Sequence, residues 1–110
     1  MRLPNGQRAV VDIRKLRDYC LSPDHPRGRH KARLFAAVLG LGATNAAWLR
    51  KRILRAAAQG DARATDTDAY GQRYVLDFVC EGPKGRADVR TCWIVRRDED
   101  FPRLTSCFLP

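Results

Sequence analysis

Hydrophobic positions recur with two different periods along this 110-residue chain. Up to about residue 60 they follow the spacing of amphipathic helices, and from Tyr70 onward they alternate with polar positions, as strands do. The helical spacing is clearest in one stripe, formed by Ala46, Leu49, Ile53, Ala56 and Ala57. The change of period predicts an α+β fold, with two to three N-terminal helices packed on a C-terminal antiparallel β-meander of three to four strands.

Turn-forming residues divide the first half into three helical segments. Asp12 is a good N-cap for a first helix over residues 13–21, and the proline- and glycine-containing stretch 22–28 ends it. A second helix follows and stops near Gly40 or Gly42, and a third runs from residue 45 to about residue 59. Residues 1–8 are expected to be a loose lead-in, and residues 9–11 a short edge strand.

A hairpin is the clearest feature of the second half. Residues 81–85 are a strong turn signal between two alternating strands, and a third strand follows over residues 103–109. A plain hairpin register places Tyr74, Leu76 and Phe78 across from Trp93, Thr91 and Val89. Residues 61–68 are interpreted as a polar linker. The chain is therefore expected to be one domain over residues 1–110, helical and basic over 9–60, with the sheet over 70–109.

The positive charge belongs to the helical half. The whole chain carries +9, but residues 1–60 hold 13 Lys and Arg against 3 Asp, and residues 61–110 hold 8 Lys and Arg against 9 acidic residues. These counts give +10 and −1. A one-sided basic surface suits nucleic acid, an acidic protein partner or an anionic membrane, and the alternative is a solvated basic face with no partner.

Several classes of protein are excluded or disfavoured by the sequence. No apolar run approaches the roughly 18–20 residues of a membrane span, and the first residues lack the apolar centre of a signal peptide, so we expect a cytoplasmic protein without a membrane partner. No phosphate-binding loop or dinucleotide fingerprint occurs, and we expect no cofactor. The four cysteines lack metal-ligand spacing and are interpreted as structural, with no metal site expected: Cys20, Cys80, Cys92 and Cys107.

The start of the second helix carries the most informative candidates. His30, Lys31 and Arg33 precede or interrupt an apolar arc made of Leu34, Phe35, Val38 and Leu39. Cations in a first helical turn oppose the helix dipole, so local stability does not explain them. A histidine can transfer protons near neutral pH, and lysine and arginine bind phosphate oxygens. The alternatives are a structural histidine, a lysine that snorkels past a helix end and a solvated arginine.

Further candidates lie on the strands. Thr91 and Thr105 belong to neighbouring strands, Arg103 lies at a strand start, and Tyr70 precedes the first strand. A threonine can orient a substrate, an arginine can bind phosphate and a tyrosine can stack on a base. Equally, threonine is common in strands for its β-propensity, and Tyr70 could cap the core. Trp93 is expected to be a core residue.

The combined pattern resembles a known family. Its residues are Pro23-x-His25-Pro26-x-Gly28-x-His30-Lys31-Ala32-Arg33-x-Phe35, Tyr70-Gly71, Thr91-x-Trp93-Ile94 and Pro102-Arg103-Leu104-Thr105. They resemble a family of small bacterial domains of unknown function, found beside small antitoxin-like genes and at the ends of polymorphic toxins. The resemblance covers residues 3–109. That family in turn is similar to the barnase–EndoU–colicin–RelE superfamily of metal-independent ribonucleases, which place N-terminal helices against an antiparallel sheet.

The resemblance implies a function and a set of site residues. It implies an endoribonuclease toxin of a toxin–antitoxin or polymorphic-toxin system, acting on tRNA or mRNA, with a small acidic antitoxin or immunity protein as partner. The implied catalytic positions are His30, Lys31, Arg33, Tyr70, Thr91, Arg103 and Thr105. The helix motif has one histidine where EndoU-type enzymes have two, so the second proton-transfer group stays open.

Two other hypotheses compete with catalysis. The first is a non-catalytic RNA-binding module, and the second is an interaction protein whose basic face docks an acidic partner. The RNA-binding module would use Arg50, Lys51, Arg52 and Arg55 and not His30, whereas the interaction protein would form a complex and have no affinity for RNA. The residues that we predict to bind RNA are Arg27, Arg29, Arg50, Lys51, Arg52 and Arg55. The oligomeric state is left open by the sequence.

Overall fold

Three helices fill the first half of the chain and four strands fill the second, in a computed structural model that describes residues Met1–Pro110. The helices are α1 (Ile13–Lys15, continued by a π turn over Leu16–Cys20), α2 (Arg29–Leu34, continued by a π turn over Phe35–Leu39) and α3 (Ala46–Gln59). The strands are β1 (Ala62–Asp68), β2 (Gly71–Glu81), β3 (Arg86–Arg96) and β4 (Pro102–Phe108). They form one antiparallel sheet in the order β1-β2-β3-β4, which confirms the predicted α+β fold.

The predicted helix boundaries are confirmed at the N-terminus of α1 and at the C-termini of α2 and α3. Asp12 caps α1, because its carboxylate accepts a hydrogen bond of 3.0 Å from the Arg14 backbone N–H. The turn after α2 ends at Gly40, which has a left-handed backbone with φ of 73°. α3 ends at Gly60, whose N–H still bonds to the Ala56 carbonyl.

The hairpin register is also as predicted. Tyr74, Leu76 and Phe78 of β2 lie opposite Trp93, Thr91 and Val89 of β3. This arrangement places one set of alternating side chains on the face that the helices cover. The alternation of the sequence therefore determines which face of the hairpin is buried.

The interpretation of residues 61–68 as a linker is wrong, because this segment forms β1. Ala62 to Ala64 pair with Leu76 to Tyr74 of β2, and the strand continues past an irregularity to Asp68. The Asp68 carboxylate closes the turn by accepting from the N–H groups of Tyr70 and Gly71. Nearly all side chains of β1 are exposed, so the strand carries no alternating apolar signal. Backbone pairing, the buried Ala62 and the ion pair between Asp68 and Arg73 hold it in place.

The N-terminal residues pack more closely than expected. Leu3 belongs to the core, and a short turn at Gly6–Arg8 lies against α3, where a side chain at Gly6 would meet the Ala57 carbonyl. Val10 makes a single parallel bridge with Arg103, at the outer edge of β4, in place of a full edge strand.

The buried face of α2 differs from the predicted arc. Phe35 and Leu39 are buried, but Leu34 and Val38 are exposed, and Ala32 takes a buried position instead. Ala32, Phe35 and Leu39 are three and four residues apart, so they form one helical stripe, and Leu34 and Val38 lie to one side of it. Lys31 accordingly lies at the edge of the buried face, and only part of its surface is exposed.

The core lies between the helices and one face of the sheet. Its largest fully buried side chains include Trp93 and Leu76 from the sheet and Phe35, Leu49 and Ile53 from the helices. Thr91 is buried among them, where its hydroxyl donates to the Leu76 carbonyl and accepts from the Trp93 ring N–H.

No single helix has the length and apolar character of a membrane span, although α2 and α3, bent by 77°, reach both criteria as a pair.

The Thr91 hydroxyl should contribute measurably to stability. In Thr91→Val the buried Trp93 N–H loses its acceptor, which we expect to lower the free energy of unfolding by about 1–3 kcal/mol. The Thr91→Ser variant keeps the hydroxyl and loses only a methyl group, so we expect a cost of about 1 kcal/mol. Urea unfolding of both variants checks this order, and a valine variant as stable as the serine variant would contradict it.

Candidate functional site

A bulge in β4 determines where Thr105 points. Cys92 of β3 pairs with Ser106 and the next residue, Trp93, pairs with Leu104, so Thr105 is an extra residue between two regular pairs. Bulges of this kind bend a strand and redirect one side chain. Thr105 lines a cleft at the edge of the sheet, and its hydroxyl donates to the Cys92 carbonyl over 3.2 Å.

The cleft lies between β4, α1 and the loop that joins α1 to α2. It has a volume of about 580 Å³, within the range of small-molecule and nucleotide sites. Its lining is almost entirely polar: Asp12, Arg14, Lys15, Asp18, Tyr19, His25, Arg27 and Thr105. We call it the β4 cleft. Its polarity makes it suited to a charged ligand.

The loop after α1 fixes His25 in one orientation. Nδ1 of His25 accepts hydrogen bonds of 3.0 Å from the backbone N–H groups of Arg27 and Gly28. In the neutral ring the proton therefore lies on Nε2, which is left free to donate. The ring also packs edge-on against Tyr19, with centroids 4.8 Å apart. Gly28 is required here, because any side chain would collide with the Tyr19 carbonyl.

Lys31 joins the β4 cleft to a second, smaller hollow. Its ammonium donates a 2.5 Å hydrogen bond to the Tyr19 hydroxyl and lies 4.5 Å from the Tyr19 ring centroid. It also lies 5.9 Å from the ring centroid of Phe108. On this side Lys31 lines a hollow of about 220 Å³ together with His30 and Phe108. The Tyr19 hydroxyl keeps its own proton available for a ligand in the cleft.

The carboxylates of the β4 cleft are neutralised by neighbouring arginines. Asp12 pairs with Arg14 at 2.8 Å and Asp18 with Arg17 at 2.8 Å. The Arg14 guanidinium and backbone N–H lower the pKa of Asp12 to about 2, and the Arg17 guanidinium lowers the pKa of Asp18. Lys15, Arg27 and Lys31 have no carboxylate partner. The charges in and beside the cleft that no opposite charge neutralises are therefore positive, and they favour binding of an anion.

Three of the sequence-predicted residues line the β4 cleft or the smaller hollow beside it, which Lys31 also lines. Thr105 and Arg27 line the β4 cleft, and His30 shares the smaller hollow with Lys31. His30 is exposed, and its ring nitrogens make no hydrogen bond within the protein, so they are free to bond to a ligand.

The other predicted catalytic residues lie elsewhere. Arg33 lines a separate groove between α2 and residues 41–44, together with Arg29. Tyr70 is 73% exposed in the turn between β1 and β2. Arg103 makes a bidentate ion pair with Glu99 at 2.7 and 2.8 Å. Thr91 is fully buried, and its hydroxyl is already bonded on both sides, so it supports the core and does not reach a ligand.

Of the cations of α3 that were predicted to bind RNA, some contact other residues of the protein and others are exposed to solvent. Arg50 donates to the Val11 carbonyl over 2.8 Å and is partly buried, which ties α3 to the segment before α1. Lys51 is exposed. Arg52 lies 4.1 Å from the Trp48 ring centroid, and Arg52 and Arg55 line a groove beside β2.

Sequence reasoning missed Tyr19, His25 and Lys15 as site residues. Tyr19 lies twelve residues before Lys31, and only the packing of α1 against α2 brings them together. His25 stands within the Pro23–Gly28 motif that carries the family resemblance, so that motif was a signal that could have pointed to it.

Two buried thiols lie behind the β4 cleft. Cys20 follows Tyr19, and Cys107 lies two residues after Thr105. Interaction with the Cys107 thiol lowers the pKa of Cys20 to about 7, and interaction with Cys20 together with burial raises the pKa of Cys107. Both side chains are fully buried, so they contact the core and not a ligand.

The Asp12–Arg14 pair should make stability depend on pH. The folded-state pKa of about 2 lies below the ordinary 3.8, so the unfolded chain binds this proton more tightly. The contribution of Asp12 is therefore fully present above about pH 4 and is lost as the pH falls toward 2. We expect the difference in free energy of unfolding between wild type and Asp12→Asn to shrink over that range, as measured by urea unfolding.

A matched control is Asp24→Asn, because Asp24 is exposed and makes no ion pair. Because no ion pair is lost, its free energy of unfolding should stay close to that of wild type. A difference for Asp12→Asn that does not change with pH would contradict the assigned cause. Urea is preferred to guanidinium, whose salt would screen the ion pair.

Comparison with known proteins places the chain in one family. No curated protein matches it. A family model described as a domain of unknown function (DUF6883) matches residues 2–110. The matched residues include every element of the fold, the lining of the β4 cleft and the smaller hollow that His30 and Lys31 line. The chain therefore belongs to the DUF6883 family of domains of unknown function.

Proposed function

We propose that this protein is a metal-independent endoribonuclease. The observation that carries the proposal is the position of Lys31, whose ammonium bonds to the Tyr19 hydroxyl on one side and shares a hollow with His30 on the other. Two groups able to transfer protons thus flank one fixed cation. Cleavage of RNA needs this set, namely a base, an acid and a positive charge near the reacting phosphate.

The reaction uses the ribose 2′-hydroxyl as the nucleophile. His30 accepts the 2′-hydroxyl proton, the 2′-oxygen attacks phosphorus, and the bond from phosphorus to the 5′-oxygen breaks. Tyr19 donates its proton to the departing 5′-oxygen, and the Lys31 ammonium stabilises the phenolate that remains. The products are a 2′,3′-cyclic phosphate and a 5′-hydroxyl end. Tyr19 is therefore our candidate for the second proton-transfer group.

The β4 cleft supplies groups that bind the RNA backbone. Nε2–H of His25 can donate to a non-bridging phosphate oxygen, because Nδ1 is held by two backbone N–H groups. Arg27 and Lys15 add positive charge without carboxylate partners, and Thr105 offers a hydroxyl at the bulge. In this proposal Arg33, Tyr70, Thr91 and Arg103 do not contact the reacting phosphate.

The direct test is incubation of purified protein with total cellular RNA in EDTA. We expect cleavage to persist in EDTA and to fall by about 10²- to 10⁴-fold in His30→Ala and in Tyr19→Phe, since each loses one proton-transfer group. Tyr74→Phe is the matched control, because the Tyr74 hydroxyl makes no hydrogen bond within the protein and lies away from the cleft. It should cleave like wild type.

Two results would contradict the proposal. Intact RNA with folded wild-type protein would exclude catalysis, and salt-sensitive binding without cleavage would then favour the RNA-binding module. Cleavage that survives in both His30→Ala and Tyr19→Phe would show that other residues perform the reaction.

We also propose that the activity is that of a toxin held by a small acidic antitoxin or immunity protein. The support is the family resemblance together with the +10 charge of residues 1–60, which an acidic partner would neutralise. Induced expression in a bacterium should arrest growth, and the His30→Ala/Tyr19→Phe double variant should relieve the arrest. Equal arrest by a double variant that accumulates to the same level would contradict this role.

A further inference from the structure

The second half of β2 has an edge that no strand covers. β1 pairs with β2 only between Gly71 and Leu76, because its first residue, Ala62, already lies opposite Leu76. On the other side β3 continues to pair as far as Glu81. Residues 77–81 therefore have a neighbouring strand on one side only. Such an edge presents a row of backbone groups to any further strand.

The hydrogen bonds of β1 show which backbone groups point outward. Both the N–H and the C=O of Ala62 bond to Met1, so they point away from β2. In an antiparallel ladder the direction alternates from residue to residue, so Arg63 faces its partner Val75. Val79, four residues after Val75, directs its N–H and C=O to the same side. At that position no strand receives them.

A groove, which we call the β2 groove, runs between this edge and α3. Its volume is about 640 Å³, slightly more than that of the β4 cleft, and its lining includes Arg52 and Arg55 of α3 and Phe78 and Val79 of β2. Val79 lies two residues before the end of β2 and is 51% exposed, so its apolar side chain is open to a ligand at this edge. The groove therefore combines a free backbone edge with an uncovered apolar side chain.

The charge of the groove is predominantly positive. Arg52 and Arg55 have no carboxylate partner, and Arg86 approaches Glu81 only at 4.0 Å. The guanidinium of Arg52 is held over the Trp48 ring at 4.1 Å, which keeps it beside the groove. A ligand of this groove is expected to bring negative charge to the α3 side.

We propose that residues 77–81 of β2 bind an extended acidic segment of a partner protein, which adds to the sheet as a further strand. The edge offers alternating N–H donors and C=O acceptors, which match a peptide backbone. The phosphodiester groups of a nucleic acid are acceptors only, so they do not pair with the outward carbonyls as a peptide backbone does. The proposal does not depend on the ribonuclease activity, because the groove contains none of the residues assigned to that reaction.

The alternation of side chains along a strand also predicts the sequence pattern of the bound segment. Alternate side chains of a strand point to opposite faces of a sheet. Those on the α3 side meet Arg52 and Arg55 and should be acidic, and those on the opposite face pack beside Val79 and should be apolar. Alternation of acidic and β-branched residues over about five positions therefore fits this edge.

The probe for the test is a fluorescent peptide of sequence Glu-Val-Glu-Val-Glu with blocked ends, followed by anisotropy. We expect saturable binding to the wild-type protein that weakens as salt is added. Val79→Pro removes the outward N–H at an edge position where proline is tolerated, and should abolish binding. The control probe, Lys-Val-Lys-Val-Lys, should not bind.

A pair of charge variants on α3 provides the matched comparison. Arg55→Glu reverses a charge in the groove and should weaken peptide binding about three- to tenfold, since one attraction becomes a repulsion. Lys51→Glu makes the same change in charge on an exposed residue of the same helix that does not line the groove, and should leave binding within about twofold.

Three outcomes would overturn the proposal. The first is no saturable binding of the acidic peptide up to about 1 mM. The second is equal binding by wild type and by Arg55→Glu, which tests the site even if Val79→Pro fails to fold. The third is an oligouridylate that displaces the peptide and binds Val79→Pro as well as wild type, which would assign the groove to RNA.

Discussion

Burial of one face of the sheet under three short helices is the constraint on which the rest of the structure depends. A small antiparallel sheet is not stable with both faces in water, and helices as short as α1 and α2 do not persist alone. Each layer therefore exists only because the other covers it, through side chains such as Trp93, Phe35 and Ile53. The β4 cleft and Lys31 lie at the margin of this interface, so packing in the core positions them.

The sequence predicted those parts of the fold in which a side-chain pattern coincides with burial. The β2–β3 hairpin and the inward stripe of α3 are examples, because each buries one regular set of apolar side chains. The strand at residues 62–68 was missed because backbone pairing holds it without apolar alternation. The face of α2 was misplaced because Leu34 and Val38 are as apolar as Phe35 and Leu39, and the sequence does not show that Ala32 takes the buried position instead.

The candidate site was predictable only where its residues belong to a local motif. His30 and Lys31 are neighbours in sequence and share a hollow. Tyr19 bonds to Lys31 across two helices, and no periodicity reveals that contact. The +10 charge of residues 1–60 did not show which of the individual cations can bind a ligand. Some of its arginines, such as Arg50, stabilise the fold, and only the cations without partners are available to a ligand.

Because β3 separates the β4 cleft from the β2 groove, both can be occupied at once.

The most direct measurement is an NMR titration of the ¹⁵N-labelled protein with a dinucleotide that lacks the 2′-hydroxyl. Such a ligand keeps the phosphodiester but cannot be cleaved by attack of a 2′-oxygen. The account predicts that the amide shifts that change belong to Tyr19, His25, His30, Lys31 and Thr105, the residues around the proposed reacting phosphate. Shift changes confined to the β2 groove, or to the surface around Arg33, would contradict the assignment of the β4 cleft as the site that binds RNA.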